Sequence, residues 1–319
     1  MADKELWFTA LGPSGAGKTT LLACMHKRFE DILPGSFYPS DTKTFRTLTK
    51  AYKKLEEEAD NPSIEFGVAL QGTDNLREYA FTIKGKRKSV PVRFFDFPGG
   101  WINPYDESQI KNYERVISIV QKSMVIIAAV NMPYIMEYNG RYKDYAGVEE
   151  IEHVIKMSMQ DEKDKLILFV PIKCERYTRT PADREKLLAK IKENFSGTLK
   201  LIENPVYKDR LAIAVLPIHT VGNAQFSRFE MDGKNIIREI YLKNRSLKFS
   251  PKDADQPLRY AMSFLLSEFK KSSKGFWGSF LDFVFSRDNM AEISSFIRNG
   301  IKADEEGFKI FCGRELIGI

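Results

Sequence analysis

The sequence predicts an α/β fold of three layers, in which a mostly parallel sheet carries helices on both faces. Continuous apolar runs, typical of strands buried on both sides, alternate with amphipathic segments of helical period. A glycine-rich turn follows the first of these runs and leads into the first helix. Of the 319 residues, 43% are hydrophobic and 29% are charged, which suits a folded chain and excludes a mainly disordered one.

The predicted elements follow from these patterns in chain order. An apolar, aromatic-rich run predicts the first strand at Leu6–Leu11, and one apolar face over Thr19–Phe29 predicts the first helix. Later apolar runs predict strands at Glu78–Lys84, Val90–Phe95, Met124–Val130, Leu166–Ile172 and Leu211–Ile218. Helices are predicted around Ile110–Val120, at Glu149–Met159, at Thr180–Asn194 and at Leu258–Phe269.

Two segments extend this plan. Good N-cap residues followed by apolar residues at three- and four-residue steps predict an inserted amphipathic helix over Ser40–Ala59. After the last predicted core strand, Phe226–Lys248 is predicted to form a hairpin. We predict one domain over residues 1–270, with the helical insertion at about 40–60, and a C-terminal extension over 271–319 that packs on or beside it.

Charge and cysteine content narrow the function class. The net charge of +6 permits an anionic ligand but does not require nucleic acid. The odd, widely spaced set of cysteines (Cys24, Cys174 and Cys312) indicates neither a disulfide framework nor a zinc site. The apolar run Met124–Val130 is too short to span a bilayer, and no secretory signal pattern is present. We expect a cytoplasmic protein without a transmembrane segment.

The strongest motif is G-x-x-x-x-G-K-[ST], between the first predicted strand and helix. Glycines let backbone N–H groups turn toward a polyphosphate, and the helix N-terminus adds partial positive charge. The lysine can reach the terminal phosphates, and the hydroxyl that follows it can bind Mg²⁺. The residues predicted to hold the nucleotide here are Gly12, Ser14, Gly15, Ala16, Gly17, Lys18, Thr19 and Thr20.

A second motif, D-x-x-G, stands at the end of the predicted strand Val90–Phe95. Asp96 is placed where the carboxyl end of a buried strand meets the ligand crevice of an α/β sheet. It can therefore hold Mg²⁺ together with Thr19, usually through water. Gly99 can bring a backbone N–H close to the γ-phosphate.

With these two motifs the chain resembles the TRAFAC-class P-loop GTPases, the broad group that contains the small GTPases. The resemblance covers about residues 5–270 and rests on motifs. It implies a three-layer P-loop NTPase fold that binds a guanine nucleotide and Mg²⁺. In that family a threonine ahead of the second strand contacts Mg²⁺ in the triphosphate state. Thr73 is similar in placement, which makes it a predicted metal ligand and switch residue.

The resemblance also implies where the base is recognised. The family has N/T-K-x-D after its fifth core strand, and this chain has I-K-C-E at residues 172–175. Lys173 can lay its aliphatic stem over a purine ring, and Glu175 can accept hydrogen bonds from guanine N1–H and its amino group. Isoleucine lacks the amide of the family's Asn, and Glu is one methylene longer than Asp. His219 and Thr220 stand where backbone groups of the family touch guanine.

The predicted function is binding of GTP–Mg²⁺ and its hydrolysis to GDP and phosphate, as a nucleotide-dependent switch. The predicted catalytic residues are Lys18, Thr73 and Gly99. Many family members orient water with a Gln directly after D-x-x-G, where this chain has Gly100. Another residue or a partner has to do this, or hydrolysis is slow.

Several alternatives stay open. Arg46 and Arg77 are candidates for an arginine that acts within the chain, although each is more commonly an ordinary surface residue. A different P-loop enzyme, an ATPase or a kinase, is one alternative. A kinase needs an acceptor pocket and usually a lid with arginines, and no clear lid is evident. A non-hydrolysing nucleotide-binding scaffold is suggested by Gly100. Nucleic-acid binding through the basic turn Lys84–Lys88 is less favoured than a solvated turn, because no aromatic residues interleave with it.

Two aromatic segments raise the possibility of a protein partner or self-association. The tyrosine-rich loop Asn131–Tyr145 suits either a partner surface or a packed loop. The segment Gly275–Phe285 suits docking on a membrane or partner, but packing against the first domain is favoured.

Overall fold

The computed structural model describes residues 5–32, 35, 37–61, 65–66, 74–84, 89–231, 237–271 and 294–319. Its strands are β1 (Leu6–Leu11), β2 (Phe37–Pro39), β3 (Glu65–Phe66), β4 (Arg77–Lys84), β5 (Ser89–Asp96), β6 (Val125–Asn131), β7 (Lys165–Ile172), β8 (Leu211–Val215), β9 (Ala224–Met231), β10 (Ile237–Lys243) and β11 (Lys309–Cys312). Its helices are α1 (Lys18–Ile32), α2 (Thr42–Asp60), α3 (Ile110–Lys122), α4 (Met132–Met136), α5 (Val148–Ser158), α6 (Pro181–Asn194), α7 (Ser196–Leu199), α8 (Gln256–Lys271), α9 (294–299) and α10 (Arg314–Ile317).

The central sheet has eight strands in the order β11-β8-β7-β6-β1-β5-β4-β2. Strands β5, β1, β6, β7 and β8 run parallel, and β4, β2 and β11 are antiparallel to their neighbours. Alternate residues of β6 pack into separate apolar clusters, with Ile127 in one and Ile126 in the other. Both faces of the sheet are therefore covered, which confirms the predicted three-layer, mostly parallel α/β fold.

Helices cover the two faces in separate groups. Residues of α1, α2 and α8 belong to one apolar cluster, and residues of α3, α5 and α6 belong to the other. Because β6 and β7 are buried along their whole length, their sequences are continuous apolar runs rather than alternating ones. The predicted strand Leu211–Ile218 is shorter in the structure and ends at Val215. Backbone bonds to β7 nevertheless continue past that point, since the Leu216 N–H donates to the Phe169 carbonyl and the Ile218 N–H to the Pro171 carbonyl, both at 2.9 Å.

The inserted helix is confirmed as α2. Asp41 is its N-cap, and its side chain accepts a hydrogen bond from the Thr44 N–H at 2.7 Å. Leu48 and Leu55 are buried on the face that packs into the cluster shared with α1. The short strand β2, directly before this helix, carries no alternating pattern long enough to predict it.

The described part of the C-terminal extension packs on the preceding domain. Strand β11 pairs antiparallel with β8 and forms one edge of the central sheet. Helix α9 docks on α8 through Arg259, whose Nη1 donates to the carbonyls of Phe296 at 3.1 Å and Ile297 at 3.3 Å. The Gly275–Phe285 segment lies outside the described residues, and the boundary at residue 270 stays a prediction.

A second, three-stranded antiparallel sheet has the order β3-β10-β9 and contains the predicted hairpin. We call it the accessory sheet. Phe229 of β9 stacks on Tyr134, with ring centroids 5.2 Å apart and planes at 7°, and packs edge-on against Tyr142. Lys243 of β10 donates to the carbonyl of Asn61 at 2.9 Å. The accessory sheet thus connects the end of α2 with the tyrosine-rich loop after β6.

None of the helices that the structure describes has the length and apolar character of a membrane span.

Candidate functional site

The G-x-x-x-x-G-K-[ST] loop lies between β1 and α1, as the motif predicts. Its first glycine, Gly12, packs so closely on β6 that a Cβ there would lie 2.9 Å from the Ala129 carbonyl oxygen. Gly17 has φ +104°, and a Cβ there would lie 3.0 Å from Cδ1 of Ile172. The loop backbone therefore takes a conformation that side chains at these positions would disturb. The apolar side chain of Ile172 therefore lies close against the loop at Gly17.

Lys18, at the first position of α1, is folded into the loop. Its Nζ donates to the Gly12 carbonyl at 2.8 Å and to the Pro13 carbonyl at 3.1 Å, and the residue is buried. Burial lowers the pKa of this ammonium, and the Asp96 carboxylate opposes that shift. A buried positive charge next to backbone N–H groups is well placed to meet an anion.

Thr19 and Asp96 come together at the same end of the sheet. Asp96 is the last residue of β5 and is paired in register with Ala10 of β1, so its carboxylate reaches the start of α1. The Thr19 hydroxyl donates to its Oδ2 at 2.7 Å, and Asp96 is fully buried. A hydroxyl and a carboxylate side by side are oxygen donors of the kind Mg²⁺ prefers. These two residues therefore fit the predicted metal, with Asp96 adding the negative charge.

The D-x-x-G segment touches the G-x-x-x-x-G-K-[ST] loop at residues 12–19, which we call the P-loop. At Gly99 an added Cβ would lie 1.8 Å from the Ser14 backbone nitrogen, so the two backbones are in contact. At the next residue, Gly100, an added Cβ would meet nothing within 4 Å. Gly99 thus has a steric reason to be glycine, and Gly100 has none in this conformation.

The first predicted base contact, Lys173, also reaches the P-loop. Its Nζ donates to the Gly15 carbonyl at 3.1 Å and forms an ion pair with Glu239 of β10 at 2.5 Å. Its backbone has φ +55°, which is uncommon for a residue with a side chain. Lys173 directly follows the end of β7, and this position brings its side chain to the P-loop.

Glu175 is buried against the loop that follows β8. Its Oε1 accepts long hydrogen bonds from the backbone N–H groups of Val221 at 3.5 Å and Gly222 at 3.4 Å. The carboxylate thus lies beside the segment predicted to touch guanine. Its contact with a base stays a prediction, and so does that of Lys173.

In that segment, His219 and Thr220 form hydrogen bonds with other residues of the chain. The His219 backbone pairs with Lys252 in both directions, and its ring Nε2 lies 2.7 Å from the Thr178 hydroxyl. Burial lowers the pKa of His219. Thr220 is buried, and its carbonyl accepts from the Cys24 thiol at 3.5 Å, which ties the segment to α1. Contact of either residue with a base stays a prediction.

The remaining candidates differ in their position. Thr73 lies outside the described residues, so its predicted role stays a prediction. Arg77, the first residue of β4, is paired in register with Asp96. Its positive charge opposes the rise that burial causes in the pKa of the nearby Tyr79 hydroxyl. Arg46 is exposed on α2. Of the two arginines, Arg77 lies at the site.

Sequence reasoning missed the contribution of β10. Glu239 and Tyr241, two residues apart, both face Lys173, the second with its ring centroid 5.8 Å from Nζ. The hairpin pattern predicts that successive side chains of this strand lie on opposite faces. It does not indicate which other part of the protein packs against each face. The signal that was present is a Glu whose neighbours two positions away, Ile237 and Tyr241, are apolar.

Comparisons with known proteins give structural matches alone. No protein-family model matches the chain, and no curated protein matches it. One matching solved structure is the signal recognition particle receptor SRb-GTP/SRX complex from Chaetomium thermophilum, with 14% identity, a TM-score of 0.39, and coverage of 69% of this chain and 93% of that one. Another is Roco2 RocCORdC from Methanosarcina barkeri bound to GDP, with 14% identity, a TM-score of 0.31, and coverage of 68% of this chain and 43% of that one.

Proposed function

We propose that this protein is a TRAFAC-class GTPase that binds GTP–Mg²⁺, hydrolyses it to GDP and phosphate, and acts as a nucleotide-dependent switch. The observation that carries the proposal is the Lys18 ammonium, buried within the P-loop 2.8 Å from the Gly12 carbonyl. Beside it, a hydroxyl and a carboxylate from Thr19 and Asp96 lie 2.7 Å apart. A cation, inward-turned amides and oxygen ligands at a helix N-terminus suit a metal-bound polyphosphate.

Each group has a separate role in this proposal. The amides of residues 12–17 and Lys18 bind the phosphates, and Thr19 and Asp96 would hold Mg²⁺ directly or through water. Bound Mg²⁺ would neutralise charge that develops on the β- and γ-phosphate oxygens. The Gly99 N–H donates to the γ-phosphate, and Thr73 completes the switch. Loss of the γ-phosphate then releases the segments around Thr73 and Gly99.

Hydrolysis needs a water molecule to attack the γ-phosphorus as the bond to the β-phosphate oxygen breaks. Gly100 has no side chain to orient that water. Arg77 is the candidate within the chain for stabilising the departing charge, because it is paired with Asp96 across β4 and β5. If no group of the chain positions the water, turnover is slow until a partner supplies one.

The function is tested by titrating the purified chain with GDP and ADP in the presence of Mg²⁺, in a calorimeter. We expect GDP to bind at least tenfold more tightly than ADP. Equal affinities would favour the ATPase or kinase alternative and remove the proposed base-reading role of Lys173 and Glu175. Absence of binding by any nucleoside di- or triphosphate would overturn the proposal.

Release of inorganic phosphate from GTP then separates an enzyme from a non-hydrolysing scaffold. We expect slow release that depends on Mg²⁺ and stops when Lys18 is replaced. Tight GTP binding without any phosphate release above the buffer rate would establish the scaffold instead.

Asp96→Asn is expected to raise the Mg²⁺ concentration needed for half-maximal GTP binding by about tenfold. The change keeps the size of the side chain but removes the negative charge that would face the metal. The measurement is GTP affinity across a Mg²⁺ series. Asp209→Asn, at an exposed aspartate ahead of β8, is the matched control and should leave the Mg²⁺ dependence unchanged. An unchanged dependence in Asp96→Asn would remove Asp96 from the metal site.

Location and partners are part of the proposal as well. We place the protein in the cytoplasm, and we infer a protein partner or self-association from Tyr138 and Tyr145. Both side chains are exposed on the tyrosine-rich loop, and tyrosine is favoured at interfaces.

A further inference from the structure

Lys173 is held by two distant parts of the chain. Its Nζ donates to the P-loop carbonyl of Gly15 at 3.1 Å and lies 2.5 Å from Oε2 of Glu239 on β10. The same ammonium lies 5.8 Å from the ring centroid of Tyr241, on the same strand. The Lys173 ammonium therefore connects the accessory sheet with the P-loop.

Glu239 is in an environment where its charge needs a partner. Its side chain is 3% exposed, and that of Lys173 is 15% exposed. A buried carboxylate is costly unless a cation and hydrogen bonds compensate it. Burial chiefly, and then Glu239 and Glu175, raise the pKa of the Tyr241 hydroxyl, which stays neutral beside them. Lys173 thus supplies the positive charge that contacts Glu239.

The strand that carries Glu239 is fixed in place. Phe229, on the neighbouring strand β9, stacks on Tyr134 of the short helix α4, which forms the start of the tyrosine-rich segment. At the far end of β10, Lys243 donates to the carbonyl of Asn61 behind α2. Because Phe229 pairs in register with Glu239 and Lys243 lies four residues further along the same strand, Glu239 is presented by a paired strand with two anchors rather than by a loop.

Lys173 has an unfavourable backbone conformation, so contacts elsewhere have to stabilise its position. A φ of +55° costs a residue with a side chain free energy relative to ordinary backbone regions. Contacts of the side chain with Gly15 and Glu239 offset that cost. Removing the carboxylate therefore loosens the stem of Lys173, the part predicted to lie over a purine.

We propose that Glu239 is a positioning residue of the nucleoside pocket, which holds the Lys173 ammonium against Gly15 so that the lysine stem is preorganised for the base. This inference rests on the proposed function. It assigns to strand β10 a part in forming the nucleotide site, through Glu239. It also predicts that Glu239 acts on the nucleoside part of the ligand and leaves the phosphate part to the P-loop.

Glu239→Gln tests this role with two probes. Because a neutral amide holds an ammonium less strongly than a carboxylate does, we expect GDP–Mg²⁺ to bind about fivefold more weakly. Tripolyphosphate–Mg²⁺, measured as a competitor of a fluorescent guanine nucleotide, should keep its inhibition constant. The matched control is Glu230→Gln, at an exposed residue of β9 in the same sheet, which should change neither value.

A double-mutant cycle with Lys173→Met shows whether Glu239 acts through the lysine. We expect Lys173→Met alone to weaken GDP binding and Glu239→Gln to add no further loss in that background. Equal losses in both backgrounds, an equal loss for tripolyphosphate, or no loss at all would overturn the inference. If Glu239→Gln fails to fold, as judged by its melting curve, Glu239→Asp replaces it. That variant keeps the charge and shortens the reach, and the same outcomes apply.

Failure of this inference is distinguishable from failure of the proposed function. Wild-type protein that binds no guanine nucleotide contradicts the function itself. Wild-type protein that binds GDP, with a Glu239→Gln variant of equal affinity, contradicts the role of Glu239 alone.

Discussion

Lys18→Ala is expected to lower the affinity for GDP–Mg²⁺ and GTP–Mg²⁺ at least about a hundredfold. Each hydrogen bond from a charged donor contributes about 1.5–3 kcal/mol, and this ammonium can serve more than one phosphate oxygen. In the structure the ammonium donates to the Gly12 and Pro13 carbonyls. It is therefore already positioned in the loop, where phosphate oxygens would take the place of these acceptors. Calorimetric titration with both nucleotides measures the effect.

The control for this change is Lys27→Ala on the same helix. The Lys27 side chain is 43% exposed and pairs with Asp31 at 3.0 Å, away from the loop. Its replacement should leave nucleotide affinity within about twofold of wild type, since an exposed pair contributes little. Equal affinities of the Lys18→Ala and wild-type proteins would show that the P-loop is not the phosphate site.

Gly99→Ala is expected to weaken GTP–Mg²⁺ binding by up to about a hundredfold and to stop phosphate release. An alanine Cβ would lie 1.8 Å from the Ser14 nitrogen, so the D-x-x-G segment or the P-loop has to move. Overpacking of this kind costs about 1–3 kcal/mol, and here the displaced atoms are those that we propose to face the γ-phosphate. GDP, which lacks that phosphate, should lose less affinity than GTP.

The neighbouring glycine offers a closely matched control. Gly100→Ala adds the same methyl group one residue later, where nothing lies within 4 Å. It should bind both nucleotides as the wild type does. If the Gly99→Ala protein keeps the GTP affinity and turnover of the wild type, close approach of Gly99 to the P-loop is not required for GTP binding. Melting curves of both variants separate a local effect from loss of the fold.

The parts that sequence could predict are those fixed by local rules. The glycine-rich turn, the Asp41 cap of α2 and the continuous apolar run of β6 each depend on neighbours in the chain, and the structure contains all three. The pairing of Thr19 with Asp96 also follows, because parallel strands bring their carboxyl ends to one edge of a sheet.

The remaining features depend on where distant segments meet. Strand β11 is short and shows no clear alternation, so its place beside β8 is a result of tertiary packing. The direction that Glu239 faces is also set by packing, because a two-residue period fixes opposite faces without assigning either to a partner. Lys173 adopts a positive φ that no propensity of lysine favours.

The position of β11 has a consequence for biosynthesis. On a ribosome the residues of β8 emerge long before those of β11, so the edge of β8 stays open until β11 has been translated and has paired with it. Until then, a fully buried apolar strand of the finished protein presents unpaired backbone groups that can recruit another nascent chain. Premature termination ahead of Lys309 would make that exposure permanent, which gives the cell a reason to degrade such fragments.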